Sequence, residues 1–344
     1  MDPLRPGRAV SRRVLIHRAA ELGAVALLSS CASRQAIVQV RPKVRQIGFL
    51  AAGEPRADAG GALRQSLSAL GYVENRDFVV HLRYAENVPD RLPGLAAELV
   101  GLPVDIIVTS GGGNPVRGAK QVTSTVPIVF TALDDPLGQG VVSDLARPGG
   151  NVTGVASLGE LGGKRLELLK ETVPGLSRVC VLFWEAEAGQ MLQVRSIQDA
   201  ARMLSVAAQP VAVNTLDALD DVLPRAAREG VNGLIDCHGA SFYGKGLSKI
   251  NKLLDFLIAH KLPHVFVDPE FAAAGGLMVL GPSTEERWRV VAQLIDKIFK
   301  GANPGSLPIE EVRIFDIILN VSTAQKIGLV FPESVTRRAT RVVQ

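Results

Sequence analysis

Three short apolar runs in this 344-residue chain occur twice, in the same order, about 130 residues apart. Arg45-Gln-Ile-Gly-Phe-Leu-Ala51 corresponds to Arg178-Val-Cys-Val-Leu-Phe-Trp184. Val104-Asp-Ile-Ile-Val-Thr-Ser110 corresponds to Val231-Asn-Gly-Leu-Ile-Asp-Cys237, and Val126-Pro-Ile-Val-Phe-Thr131 to Leu262-Pro-His-Val-Phe-Val267. Runs of this length, rich in Val and Ile and bounded by Gly or Pro, read as strands buried on both faces. The stretches between them carry helical spacing. Leu63, Leu67 and Leu70 fall on one face, and Gly71 follows as a stop. Alternation of buried strands with helices implies βαβ units and a doubly wound parallel sheet. Two copies of the pattern imply two such sheets, each with its own lobe, and the chain length is ample for both.

The order of the remaining segments predicts how the lobes are threaded. Arg147-Pro-Gly-Gly-Asn-Val-Thr-Gly154 is dense in Gly and Pro and reads as the first crossover. Ala273-Ala-Gly-Gly-Leu-Met-Val-Leu-Gly-Pro282 and a helix near residues 284–300 take the chain back, and an extended stretch over 312–320 crosses a third time. The expected division is residues 45–150 with about 275–308 in one lobe, and 151–274 with about 309–344 in the other. Open α/β sheets bind ligands outside the carboxyl ends of their strands. Two such lobes set face to face bring both sets of strand ends to one cleft, and hinge closure is its natural motion.

Residues 1–31 read as an export address. Arg5, Arg8, Arg12, Arg13 and Arg18 precede the short apolar run Leu22-Gly-Ala-Val-Ala-Leu-Leu28. That run is too short to span a bilayer and has the layout of a signal peptide. Ser11-Arg12-Arg13-Val-Leu15 resembles a twin-arginine motif, with Sec export the open alternative. Leu28-Ser-Ser-Cys31 resembles a lipobox, which makes Cys31 the expected lipidation site and the anchor to a membrane. Residues 32–44 then read as a tether. This places the protein on the periplasmic side.

Composition removes other classes. The net charge is +4, partly from arginines at the two ends, and aromatics are 5% of the chain, so no nucleic-acid footprint is expected. Cys31, Cys180 and Cys237 form no CxxC and no Cys/His cluster, so neither a metal nor another cofactor is expected. Cys180 and Cys237 read as small buried strand residues, with a disulfide in an oxidising compartment left open.

Several motifs resemble one family. Val126-Pro-Ile-Val-Phe130, Asp135-Pro136, Arg147-Pro-Gly-Gly-Asn-Val-Thr-Gly154 and Lys164-Arg-Leu-Glu-Leu-Leu-Lys170 are similar to the ABC-transporter substrate-binding family. So are Ala274-Gly-Gly-Leu-Met278 with Gly281-Pro282, Lys300-Gly-Ala-Asn-Pro304 with Leu307-Pro308, and residues 319–332. The resemblance runs from about Arg45 to the C-terminus. It implies a periplasmic-binding-protein type I fold with three crossovers, an exported monomer, and the permease and ATPase subunits of an importer as partners. Known ligands of the family include aromatic amino acids. Ser110-Gly-Gly-Gly-Asn114 and Cys237-His-Gly-Ala-Ser-Phe242 depart from the family's commoner loops, so the resemblance does not carry a ligand over.

The candidate ligand site is assembled from strand-end loops. Ser110, Gly111, Gly112 and Asn114 follow a buried strand and open a helix, where free backbone N–H groups and the helix start suit a carboxylate. Neither a Walker loop nor a GxGxxG fingerprint is present. Asp134 and Asp135 end the next strand; Asp135 reads as a cap, and Asp134 either as a cap or as a partner for an ammonium group. His238, Ser241 and Phe242 end the matching strand of the second lobe. Ser241 either bonds a carboxylate or caps a helix, and Phe242 packs on a ligand or in the core. Gly53, Glu54, Glu185 and Asp268 close further strand ends.

Two other classes remain. A sensor input domain shares the fold without transport. An exported α/β hydrolase is disfavoured, because in Gly239-Ala-Ser241-Phe-Tyr-Gly244 the second Gly falls one place late for a nucleophile elbow and no triad is spaced around it.

Overall fold

The computed structural model describes residues 43–55, 60–157, 161–243 and 250–344. The expected signal peptide, Cys31 and most of the expected tether lie outside the described residues. In chain order the strands are β1 (Arg45–Ala51), β2 (Phe78–Tyr84), β3 (Ile106–Ser110), β4 (Ile128–Asp134), β5 (Val152–Ser157), β6 (Arg178–Phe183) and β7 (Ala207–Ala212). They continue with β8 (Gly233–Asp236), β9 (His264–Phe266), β10 (Met278–Pro282), β11 (Glu310–Glu311), β12 (Phe315–Asn320) and β13 (Arg341–Val343).

These strands form two sheets. The first has the order β11-β5-β4-β3-β1-β2 and the second β13-β12-β10-β9-β8-β6-β7. All pairings in the first sheet are parallel; in the second, β12 runs antiparallel to β10. The repeat seen in the sequence is therefore a repeat in space. β2-β1-β3-β4-β5 and β7-β6-β8-β9-β10 have the same winding, each reversing direction beside its first strand.

Each sheet is covered on both faces, as runs of consecutive apolar residues require. In the first sheet Ile47, Phe49 and Val108 face one core, and Leu50, Ile107 and Phe130 face the other. In the second, Leu182, Leu234 and Phe266 face one core, and Val181, Ile235 and Val265 the other. This alternation is the period of two of a strand. It also separates the cysteines. Cys180 belongs to one core and Cys237 to the opposite one, and both are free thiols.

The threading differs from the sequence expectation in two places. Strand β5, placed by sequence at the start of the second lobe, pairs with β4 in the first sheet. The Pro-Gly-Gly-Asn stretch is a turn within that lobe, where the Gly149 N–H donates to Gly305 O at 3.0 Å. Strand β10, assigned from sequence to the first lobe, lies in the second sheet between β9 and β12. The return falls after Pro282, because the next helix, Thr284–Phe299, packs Trp288, Val291, Leu294 and Ile295 on the first sheet. The chain thus passes between sheets after β5, after β10 and after β11. A smaller correction concerns helix Gly61–Ala69, which buries Leu63 and Leu67 and leaves Leu70, its C-cap, 42% exposed. Among the described residues, no helix is long and apolar enough to cross a membrane.

Candidate functional site

Strand ends from both sheets meet at a cavity of about 170 Å³. Ala52, Gly111, Asp134 and Ser157 reach it from β1, β3, β4 and β5; Trp184, Cys237, Asp268 and Pro282 reach it from β6, β8, β9 and β10. A second cavity of about 250 Å³ adjoins it on the side of the first sheet, with Phe49, Tyr84 and Trp288 in its wall. Gly111, Gly112, Asp268 and Arg287 line both.

The Gly-rich turn is built by its backbone. Gly111 and Gly112 have φ of 93° and 88°, a region open to Gly at little cost. A Cβ at Gly111 would stand 2.9 Å from the Cβ of Ala52, and one at Gly112 would stand 2.4 Å from the carboxyl carbon of Glu187. The sequence reading puts a carboxylate at this turn, and the structure holds one there, supplied by the protein. Glu187 of the second lobe accepts from the Gly113 N–H at 3.1 Å and from the Gly189 N–H at 3.4 Å. Two helices, Gly113–Val122 and Ala188–Leu204, thus present their N-termini to one carboxyl group. Burial nevertheless raises the Glu187 pKa, and the backbone hydrogen bonds and Arg117 offset this only in part.

A second polar chain crosses the cleft. The Arg165 guanidinium, 2% exposed, donates through Nε to Leu280 O at 2.8 Å and through NH1 to Gln193 Oε1 at 2.6 Å. Gln193 Nε2 donates to Asp134 Oδ2 at 2.9 Å, and the Ser157 hydroxyl donates to Asp134 Oδ1. Burial raises the Asp134 pKa, and these two donors offset it in part. Arg165 and Gln193 belong to the second lobe, Asp134 and Ser157 to the first.

Arg287 sits in the first turn of helix Thr284–Phe299, on the wall that both cavities share. Its Nε is buried and meets no hydrogen-bond partner. A buried cationic donor without an acceptor is costly unless a bound group supplies one.

The residues singled out from sequence divide into three groups. Gly111, Gly112, Asp134, Phe242 and Asp268 line the first cavity; Ser110, Gly53 and Glu54 line the second. Asn114 lines neither and joins the lobes instead, its Nδ2 donating to Ala186 O at 2.9 Å. Asp135 caps no helix, since a turn follows it, and its Oδ1 instead closes that turn by accepting from the Gly138 N–H at 2.8 Å. Glu185 is exposed and outside both walls. His238 is fully buried and turned inward: Nδ1 lies 2.6 Å from Asp236 Oδ1 and Nε2 lies 2.9 Å from Val213 O. It acts on the wall through Phe242, which stacks on its ring at 4.1 Å. The Ser241 side chain lies outside the described residues.

Sequence reasoning missed Arg165, Glu187, Gln193 and Arg287. A signal existed for three of them. Glu187 stands directly before a helix start. Arg165 shares a helix stripe with Leu161, Leu169 and Thr172, and Arg287 heads a stripe with Val291 and Leu294; an arginine on a buried stripe is a candidate in itself. Among the described residues, no group of three or more His, Cys, Asp or Glu side chains is placed to hold a metal ion.

Two lobes of identical winding, three passages between them and a cavity at the strand ends of both define a periplasmic-binding-protein type I fold, built to take a small ligand. The chain belongs to the ABC transporter substrate binding protein family, whose model matches residues 44–343. It is similar to a tyrosine-binding protein of Clostridioides difficile, 22% identical over 77% of this chain and 75% of the relative. Among solved structures it resembles a conserved domain protein from Vibrio cholerae, 24% identical with a TM-score of 0.78, over 87% of this chain and 100% of the other. It also resembles an ABC domain from Streptococcus pneumoniae in complex with L-Trp, 21% identical with a TM-score of 0.78, over 87% of this chain and 100% of that one.

Proposed function

We propose that this chain is an exported, lipid-anchored solute-binding protein that captures a small carboxylate, an amino acid in the first instance, for an ABC importer. The observation that carries the ligand class is Arg287. Arg287 lies on the wall shared by the two cavities, which Gly111 and Gly112 also line, and its buried, unpartnered Nε suits a carboxylate. Asp268 on the same wall, and Asp134 on the wall of the first cavity, suit an ammonium group. Trp184 and Phe242, with ring centroids 6.2 Å apart, give the first cavity an apolar side, and Phe49 and Tyr84 do so for the second. That the relatives include tyrosine- and tryptophan-binding proteins supports an aromatic amino acid as the first candidate. The permease and ATPase subunits of the importer are the partners this reading implies, and Cys31 is its lipidation site.

The test is a thermal-shift screen of ligand-stripped protein against L-tyrosine, L-tryptophan, the other L-amino acids, dicarboxylates and sugars. A ligand at one hundred times its Kd stabilises the folded state by about 2.7 kcal/mol. We expect an amino acid or another carboxylate to raise Tm, and Arg287→Leu to weaken its binding about 10- to 100-fold, the value of a hydrogen bond to a charged group. A shift by sugars alone, or unchanged affinity in Arg287→Leu, overturns the carboxylate reading.

A further inference from the structure

We propose that Glu187 and Gly112 form a latch that holds the two lobes closed. Three observations converge on it. Glu187 belongs to the second lobe, is 5% exposed, and takes the Gly113 N–H of the first lobe at 3.1 Å. Gly112 provides the space, since a Cβ there would stand 2.4 Å from the Glu187 Cδ and 2.6 Å from each of its oxygens. The other oxygen, Oε2, is buried and meets no hydrogen-bond partner, although the side chain forms part of the cavity wall. Opening the cleft gives this carboxyl group back to water. Closing it desolvates the group and leaves Oε2 for a donor on whatever fills the cavity.

The latch rests on the proposed reading of the cleft for its purpose, but closure itself is a property of the chain alone. The neutral acid closes at lower cost than the carboxylate, because burial penalises the charge. The groups that face Glu187 are Arg117 from helix Gly113–Val122, which favours the charged form, and Asp134 from β4, which disfavours it; Arg165, Asp268 and Arg287 share the same cavity wall. Because the closed-state pKa is raised, closure is fully favoured below the ordinary glutamate value and weakens as pH rises through the closed-state value. The glutamine variant retains an acceptor for the Gly113 N–H without a charge, and so resembles the neutral acid.

The experiment uses no ligand. Small-angle scattering of the stripped protein at pH 5 and pH 8 measures the radius of gyration, and circular dichroism with thermal melting checks that each variant is folded. We expect wild type to be more compact at pH 5 than at pH 8, and Glu187→Gln to be compact at both. Gly112→Ala and Glu187→Ala are expected to be expanded at both. Gly140→Ala is the control for alanine at a positive φ, here 65°, because nothing lies within 4 Å of a Cβ there. It is expected to follow wild type. Compact Gly112→Ala protein, or a pH response undiminished in Glu187→Gln, overturns the latch. A failed ligand screen beside the expected scattering pattern would instead refute the carboxylate reading and leave the latch standing.

Discussion

His238 and Asp236, both fully buried, face each other at 2.6 Å between imidazole Nδ1 and carboxylate Oδ1. The His238 N–H also donates to Asp236 Oδ1 at 2.9 Å, and the Tyr243 hydroxyl donates to Oδ2. The pair therefore fixes the start of the loop that carries Phe242 to the cavity. His238→Ala leaves a fully buried carboxyl with fewer partners and an empty space under Phe242. We expect a loss of about 3 kcal/mol or more in urea unfolding, with weaker ligand binding as a consequence. Tyr243→Phe removes one donor and is expected to cost about 1–3 kcal/mol.

Helices Leu161–Thr172 and Ala188–Leu204 approach so closely that a Cβ at Gly162 would stand 2.4 Å from the Gln193 carbonyl oxygen. The obstacle is backbone and cannot swing away. Gly162→Ala is therefore expected to destabilise the protein by about 1–3 kcal/mol through overpacking. The displaced helix carries Gln193 away from Arg165 and Asp134, so affinity for the ligand should fall as well. Unchanged Tm and affinity in calorimetry would contradict this.

The pH dependence of stability has two opposed contributions. His264 is fully buried, accepts the Leu277 N–H at Nε2 and donates from Nδ1 to Leu262 O; burial lowers its pKa from 6.5 to about 4. Between those values the unfolded chain binds more protons, so this contribution is complete above pH 6.5 and is lost as pH falls towards 4, in total roughly 3 kcal/mol. Glu187 and Asp134, whose pKa values are raised, act in the opposite sense and favour the folded state at lower pH. In urea titrations across pH 4–7, His264→Gln should therefore lose the acid-side decline and expose the opposite slope of the carboxyls.

Cys180 and Cys237 are buried in opposite cores, and desolvation pushes both thiols up to about 12. Neither should react as a thiolate in the native protein. In a Cys31→Ser background we expect no titratable thiol under native conditions and two after unfolding in guanidinium. One fast-reacting native thiol would contradict the packing.

Cys31 itself gives a cell-level prediction. On the lipobox reading, Cys31→Ser leaves no acyl acceptor, so the protein should move from the membrane to the soluble periplasmic fraction. Continued membrane association after alkaline or high-salt washing would rule out lipidation as the anchor.

The duplicated sheets were legible in the sequence because a strand buried on both faces needs an unbroken apolar run, and β1, β3, β4 and their counterparts have one. The membership of β5 and β10 was not. A Gly/Pro-rich stretch marks a turn, but carries no information on which sheet receives the next strand. At the site, strand-end loops were legible because ligands sit where strands stop. Glu185 rather than Glu187 reads from sequence as a site residue, because it is the first acidic residue after β6. The helix start two residues later decides which of the two turns inward. Arg165 and Arg287 escaped because arginine on a helix usually faces water; only their stripe neighbours mark them as turned towards the protein. His238 reads from sequence as a ligand residue, whereas its partner Asp236 is the last residue of β8 and draws it into the core.

The return of the chain after β10 has a consequence for biosynthesis. Ile47, Phe49 and Val108 are made early, as are Leu63 and Leu67 of helix Gly61–Ala69 in the same core, but the longer helix of that core, Thr284–Phe299, is made after every strand of the second sheet up to β10. At about 5–20 residues per second, a nascent chain carries that half-covered apolar face for at least several seconds before the rest of its cover is synthesised. The first lobe cannot mature on its own, however early its strands emerge. A truncation before residue 284 is therefore expected to leave an aggregation-prone sheet rather than half of a binding protein.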